Sequence, residues 1–305
     1  FLGGAPANVA CGLKKLRIDS VFIGSIGDDE HGKKFVNYFK KLDVNITYLQ
    51  LINNSPTRIV KVDRDDAGDR FFSGFDEIFG KVFADESLDN SFFEKNLESL
   101  EQIFLETKYF VTGTNLLSSS ISKQSVYFLI NLAIKFGVKI IIDLNWREVF
   151  WDYSFFSNKT NKEDRIKIIK DFLNFAHILK LAEEEAVLFF ENANPIEISS
   201  KLKNSPDVII TDGENPISWF INGLSGTSAV IDSDKIIDTT GAGDSFLAGL
   251  ISKLILFDQS LNEYEIKTCI EFATICGLLT CLGEGAIEQQ PDHKIIKEFL
   301  GSNIL

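Results

Sequence analysis

Short apolar runs alternate with helical patterns along most of this 305-residue chain, and that rhythm limits the fold more than any other feature. Extended runs are expected at 21–26, 109–112, 139–143, 177–181 and 208–211. Residues 7–16, 33–42, 122–136, 164–176, 183–190 and 245–257 carry apolar residues at helical spacing. The alternation predicts an α/β fold: a doubly wound, mostly parallel sheet with helices on both faces. Ligands of such sheets gather at the carboxyl ends of strands, where Asp143 and Thr211 stand. One stretch breaks the rhythm. Residues 57–63 alternate, 64–68 are turn-rich and 70–75 resume extended, which predicts a β-hairpin over about 57–75. Neither an internal repeat nor a low-complexity linker divides the sequence, so residues 1–305 read as one domain.

The run Asp238-Thr239-Thr240-Gly241-Ala242-Gly243-Asp244-Ser245-Phe246 places paired glycines and a carboxylate at the start of an apolar helix. First-turn amides lack intrahelical partners and sit at the positive end of the helix dipole, so Gly241, Ala242 and Gly243 can hold a phosphate. Asp244 is placed to take a proton from a hydroxyl attacking that phosphate. The plainer alternative is an acidic cap behind a glycine turn.

Composition narrows the partners. A formal net charge of −13 repels polyanions and no basic, aromatic-rich cluster appears, so neither nucleic acid nor a membrane is an expected partner. No apolar run reaches spanning length. Cys11, Cys269, Cys276 and Cys281 lack a Cys-x-x-Cys pair and lie in apolar helical patterns, which favours buried free thiols over a zinc site. Gly27 to Lys33 matches P-loop spacing, but Lys34 stands where Ser or Thr should bind magnesium and three acidic residues occupy the cradle. Asp28-Asp29 reads as a solvated loop or a polar contact rather than a metal site.

The glycine run resembles that of the ribokinase-like (PfkB-type) carbohydrate kinases, and the chain looks most like the fructokinases among them. Further matches follow in family order: Gly3-Gly4-Ala5-Pro6-Ala7-Asn8-Val9-Ala10, then Gly24-Ser25-Ile26-Gly27-Asp28-Asp29-Glu30-His31-Gly32. Asp143-Leu144-Asn145-Trp146-Arg147 is similar to the family's Asp-x-Asn-x-Arg, and Phe272-Ala273 with Gly283-Glu284-Gly285-Ala286 to its adenine-pocket stretch. The resemblance implies a ribokinase-like fold with a small β lid formed by the hairpin. It implies an ATP-dependent kinase acting on a primary hydroxyl of a small sugar, D-fructose to fructose 6-phosphate first. The alternatives are 2-keto-3-deoxygluconate, another sugar or a nucleoside as substrate, or a catalytically silent binding or scaffold relative.

Under that resemblance Asp244 is the base and Gly241, Ala242 and Gly243 the anion hole. Gly3, Gly4, Asn8 and Arg147 fall at the substrate, and Thr211, Gly213, Gly285 and Ala286 at ATP. Glu185 is the candidate contact for Mg2+, and a monovalent cation such as K+, a homodimer and a cytoplasmic location are compatible with the family. The chain departs from the pattern at Ala182, where the family often has Asn, at Pro216, where it has Gly, and at Asp76, where many fructokinases have Arg. The family also has a strand ahead of the Gly3-Gly4 motif, carrying an early Asp that binds sugar. The chain is therefore expected to be a fragment, poorly stable alone, with any targeting segment left open.

Overall fold

The computed structural model describes residues 1–64, 70–75, 82–152, 161–231, 233–257 and 260–302. In order, α1 (Ala5–Lys15), β1 (Val21–Gly27), α2 (Glu30–Lys41) and β2 (Asn45–Ile52) lead into the hairpin β3 (Val60–Arg64) and β4 (Arg70–Phe75). Next come α3 (Asn90–Lys95), α4 (Leu97–Glu106), β5 (Tyr109–Gly113), α5 (Ser120–Lys135), β6 (Lys139–Asp143), α6 (Glu148–Asp152) and α7 (Lys162–Leu173). β7 (Ile178–Ala182), α8 (Glu183–Phe190), α9 (Pro195–Lys201), β8 (Asp207–Asp212), β9 (Asn215–Ile221) and β10 (Leu224–Ser228) follow. Three helices close the chain: α10 (Ala242–Leu254), α11 (Glu263–Cys281) and α12 (His293–Ser302).

The central sheet has the order β10-β9-β8-β7-β6-β5, with β5 to β8 parallel and β9 and β10 antiparallel at one edge. Successive strand residues point to opposite faces, so a strand buried on both sides reads as a continuous apolar run. Ile140, Ile142, Leu179, Leu181, Val208 and Ile210 pack with α5, α7, α8 and α9 on one face. Ile141, Ile178, Ile209 and Trp219 pack with α1, α10 and α11 on the other. The expected two-faced parallel sheet is therefore present, with an antiparallel extension that the alternation did not announce.

β1 and β2 form a separate parallel pair, and β2 was not anticipated. β3 and β4 pair antiparallel as the expected hairpin, although the strand begins at Val60 rather than Thr57. The physical reason lies in two side chains. Thr57 is tied to Asp29, whose Oδ2 accepts from Thr57 N at 2.7 Å and whose Oδ1 accepts from the Thr57 hydroxyl at 2.9 Å. Arg58 is trapped among Phe75, Phe83 and Phe150, its guanidinium carbon 4.4, 4.3 and 4.8 Å from the ring centroids. Asp29 also caps α2 by accepting from Gly32 N at 2.7 Å. The Asp28-Asp29 segment is thus a structural tie, and a Cβ on Gly32 would run into the Gly27 carbonyl oxygen. Asp76 lies outside the described residues.

The four cysteines are buried and unbridged. Burial pushes Cys11 and Cys276 up to about 12 and Cys269 and Cys281 up to about 11. Thiols held that far from ionisation are packing groups. Among the described residues no helix is long and apolar enough to cross a membrane.

Candidate active site

The start of α10 is built by glycine. Gly241 caps the helix in the left-handed region (φ 81°), where L side chains are strained, and a Cβ there would come 2.7 Å from the Ala286 Cβ. Buried Asp238 fixes the turn, accepting from Thr240 N at 2.9 Å and from Gly285 N at 3.2 Å. Gly285 and Ala286 therefore stand directly behind the glycine turn, with Ala286 buried against Gly241. The Ala242 N–H is taken up by the Thr239 carbonyl at 3.2 Å. The amides of Gly241 and Gly243 are at the helix's positive end, where an anion is favoured.

Asp244 occupies the first turn of α10, and Asn8 reaches it from the first turn of α1. The Asn8 Nδ2 donates to Asp244 Oδ2 at 2.6 Å, joining residues 236 positions apart. Asn8 is 3% exposed and lies four residues after Gly4, whose φ of 119° again suits only glycine. Gly3 and Gly4 have open space where side chains would project. Burial, then repulsion from Asp143, pushes the Asp244 carboxyl up to about 7 against the opposing pull of Asn8, Lys180 and Arg147.

Lys180 is the principal residue that sequence reasoning passed over. Its ammonium lies 3.1 Å from both Asp143 oxygens and 3.3 Å from where a Cβ on Gly243 would sit. Burial alone would lower its pKa, but Asp143, Glu185 and Asp244 together hold it above the usual lysine value. Its signal was available: a single lysine inside the apolar run Ile178-Leu179-Lys180-Leu181 is not placed in a buried strand without a carboxylate to meet it.

The remaining expected residues divide. Arg147 follows the carboxyl end of β6, its Nη1 donates to the Trp146 carbonyl at 2.8 Å, and its charge acts on Asp244. Glu185 is buried, with one oxygen accepting from Trp146 N at 2.6 Å and the other from Ala182 N at 2.8 Å. Burial, then Asp143, raises its pKa. Ala182, where the resemblance expects an amide, is the helix cap that this glutamate satisfies. Thr211, next to last in β8, pairs with Ala182, and Gly213 (φ 53°) makes the turn into β9, so both flank the β7 end without entering the Asp244 network. Pro216 lies within β9. Among the described residues no group of three or more His, Cys, Asp or Glu side chains could hold a metal unaided.

The sequence pattern described as pfkB family carbohydrate kinase matches residues 1–293. A probable fructokinase-5 of Arabidopsis thaliana is 31% identical over 95% of this chain and 85% of that protein. The fold is similar to that of a Xylella fastidiosa fructokinase with bound ATP, at TM-score 0.81 and 21% identity over 99% of this chain and 91% of that one. A Vibrio cholerae fructokinase in fructose, ADP and calcium ion bound form is similar at TM-score 0.79 and 23% identity, covering 98% and 91%.

Proposed function

The chain belongs to the pfkB family of carbohydrate kinases, and on that premise we propose that it transfers a phosphoryl group from ATP to a primary hydroxyl of a small sugar, D-fructose giving fructose 6-phosphate. Relatives named as fructokinases favour fructose over 2-keto-3-deoxygluconate or a nucleoside. The observation that carries the reading is Asp244: a carboxyl poised near neutrality, held by Asn8 and set in the first turn of a glycine-capped helix. A base titrating near the working pH is both available and strong enough to take a hydroxyl proton.

In this mechanism the Gly241 and Gly243 amides stabilise charge on the transferring group, with Ala242 completing the turn that aims them. Lys180 adds positive charge beside Gly243, and Arg147 and Asn8 orient the sugar next to Asp244. Gly3 and Gly4 give the substrate close approach to backbone, while Thr211, Gly213, Gly285 and Ala286 flank the nucleotide. The β3–β4 hairpin acts as the lid that excludes water. ATP brings a divalent ion, Mg2+, which neutralises phosphate charge. The donor set fits contact through water: Asp143 is engaged by Lys180 and Glu185 by two amides, and magnesium keeps several of its waters.

Two measurements test the reading. ATP consumption is expected with fructose in a panel of sugars and nucleosides, and a panel with no active acceptor would overturn it. Asn8→Ala is expected to raise KM for the sugar by about five- to tenfold, the worth of one hydrogen bond, with far less effect on KM for ATP. Equal effects on both constants would reject a sugar contact.

A further inference from the structure

The Lys15 ammonium, near the end of α1, donates to three backbone carbonyls: Ile287 at 2.6 Å, Glu288 at 3.0 Å and Gln290 at 2.8 Å. An ammonium has three protons, so this turn uses all of its donor capacity. A turn that presents three carbonyls to one cation resembles an ion site whose ion is covalently attached to a helix. The same turn carries Gln290, whose side chain is buried and whose Nε2 donates to the Asn8 carbonyl oxygen at 3.0 Å. Two acceptors at this junction, Asn8 Oδ1 and Gln290 Oε1, are buried without hydrogen-bond partners. Room for Gln290 comes from Gly12: a Cβ there would lie 3.0 Å from Gln290 Oε1 and 2.8 Å from the Ala248 Cβ of α10.

We propose that Lys15 and Gln290 are positioning residues for phosphoryl transfer: Lys15 acts as a tethered cation that orders the 287–290 turn, and the turn sets Asn8 against Asp244 and Ala286 beneath Gly241. The inference rests on the reading of Asp244 as base. Its physical content is a continuous chain of contacts. Lys15 grips the turn, Gln290 grips Asn8, and Asn8 meets the Asp244 carboxylate at 2.6 Å. The adjoining Ala286 packs on the one glycine whose left-handed backbone starts the anion hole. Burial lowers the Lys15 pKa, and the three carbonyls offset that cost together with the nearby charges of Glu288 and Asp292.

The test compares Lys15→Ala, Lys15→Arg and Gln290→Met with the unchanged protein, well below each melting temperature. Lys15→Ala is expected to lower kcat about tenfold, with ammonium chloride recovering more of it than tetramethylammonium chloride at equal ionic strength. The ammonium-to-tetramethylammonium ratio should exceed that of the unchanged protein, and Lys15→Arg should retain more turnover than Lys15→Ala. Gln290→Met keeps the volume and removes the bond to Asn8. It should lower kcat about fivefold and move the acid limb of the kcat profile to higher pH, because the Asn8 amide favours the Asp244 carboxylate against Asp143, with Lys180 and Arg147 unchanged. A fall in melting temperature with unchanged kcat and acid limb in Gln290→Met, or no ammonium-specific recovery in Lys15→Ala, overturns the proposal. If Lys15→Ala does not fold, Gln290→Met decides. The assignment of Asp244 as base falls by a separate result, full turnover in Asp244→Asn.

Discussion

Asp244→Asn is expected to lower turnover by about two to four orders of magnitude while leaving ATP binding nearly intact. The amide keeps an acceptor for the Asn8 Nδ2 and the volume of the helix start, but it cannot take a proton. Turnover of the unchanged protein should fall with pH below about 7, where the carboxyl is protonated. Stability should move the opposite way. The folded value of about 7 lies above the ordinary 3.8, so between these the folded state holds a proton that the unfolded state has lost. Stability is therefore withdrawn as pH rises through that window, and in full above it. Asp244→Asn should consequently melt higher than the unchanged protein at pH 8 and nearly with it at pH 4. Near-normal turnover in this variant would reject the base, and an unchanged melting difference across pH would reject the strained carboxylate.

The second large effect is on stability. Arg58 donates to Asp85 at 2.8 Å and to Glu86 at 2.7 Å; the Arg58 and Glu86 side chains are 6% and 3% exposed. Three phenylalanine rings enclose the guanidinium, and aromatic faces attract a desolvated cation. Arg58→Met keeps apolar bulk among the rings but takes the guanidinium from a buried carboxylate, which is expected to cost about 3–5 kcal/mol of unfolding free energy. Urea unfolding measures this directly. Arg58→Met combined with Glu86→Gln should recover part of the loss, since the carboxylate that lost the guanidinium goes too. A single variant within about 0.5 kcal/mol of the unchanged protein would show that the cage is incidental. Because Arg58 precedes β3, Phe75 ends β4 and Phe150 lies in α6 just after Arg147, the cage joins the hairpin base to the segment beside the site.

Much of this arrangement was readable from neighbours along the chain. A left-handed φ at Gly241, the helix start that follows and the single carboxylate in its first turn are local matters of backbone sterics and capping. The two-faced strands β5 to β8 were legible because strand periodicity and apolar continuity are local as well. The β9–β10 hairpin was legible but unread: Ile217, Trp219 and Ile221 alternate into Asn222-Gly223, whose φ values of 52° and 77° make the two-residue turn those residues favour. β2 carried a weaker signal, since only Tyr48 and Gln50 of its residues are buried and its pairing with β1 is non-local. Tertiary structure alone decided the rest. The Asn8–Asp244 bond, the Lys180–Asp143 pair and the Lys15 grip on the 287–290 turn join residues 236, 37 and 272 to 275 positions apart. The near-neutral Asp244 follows from burial and from the charges that folding collects around it. Periodicity and capping depend on adjacent residues and can be read from sequence. Distance and desolvation depend on which surfaces pack together, so the identity of the base was written in the chain while its proton affinity was set by the fold.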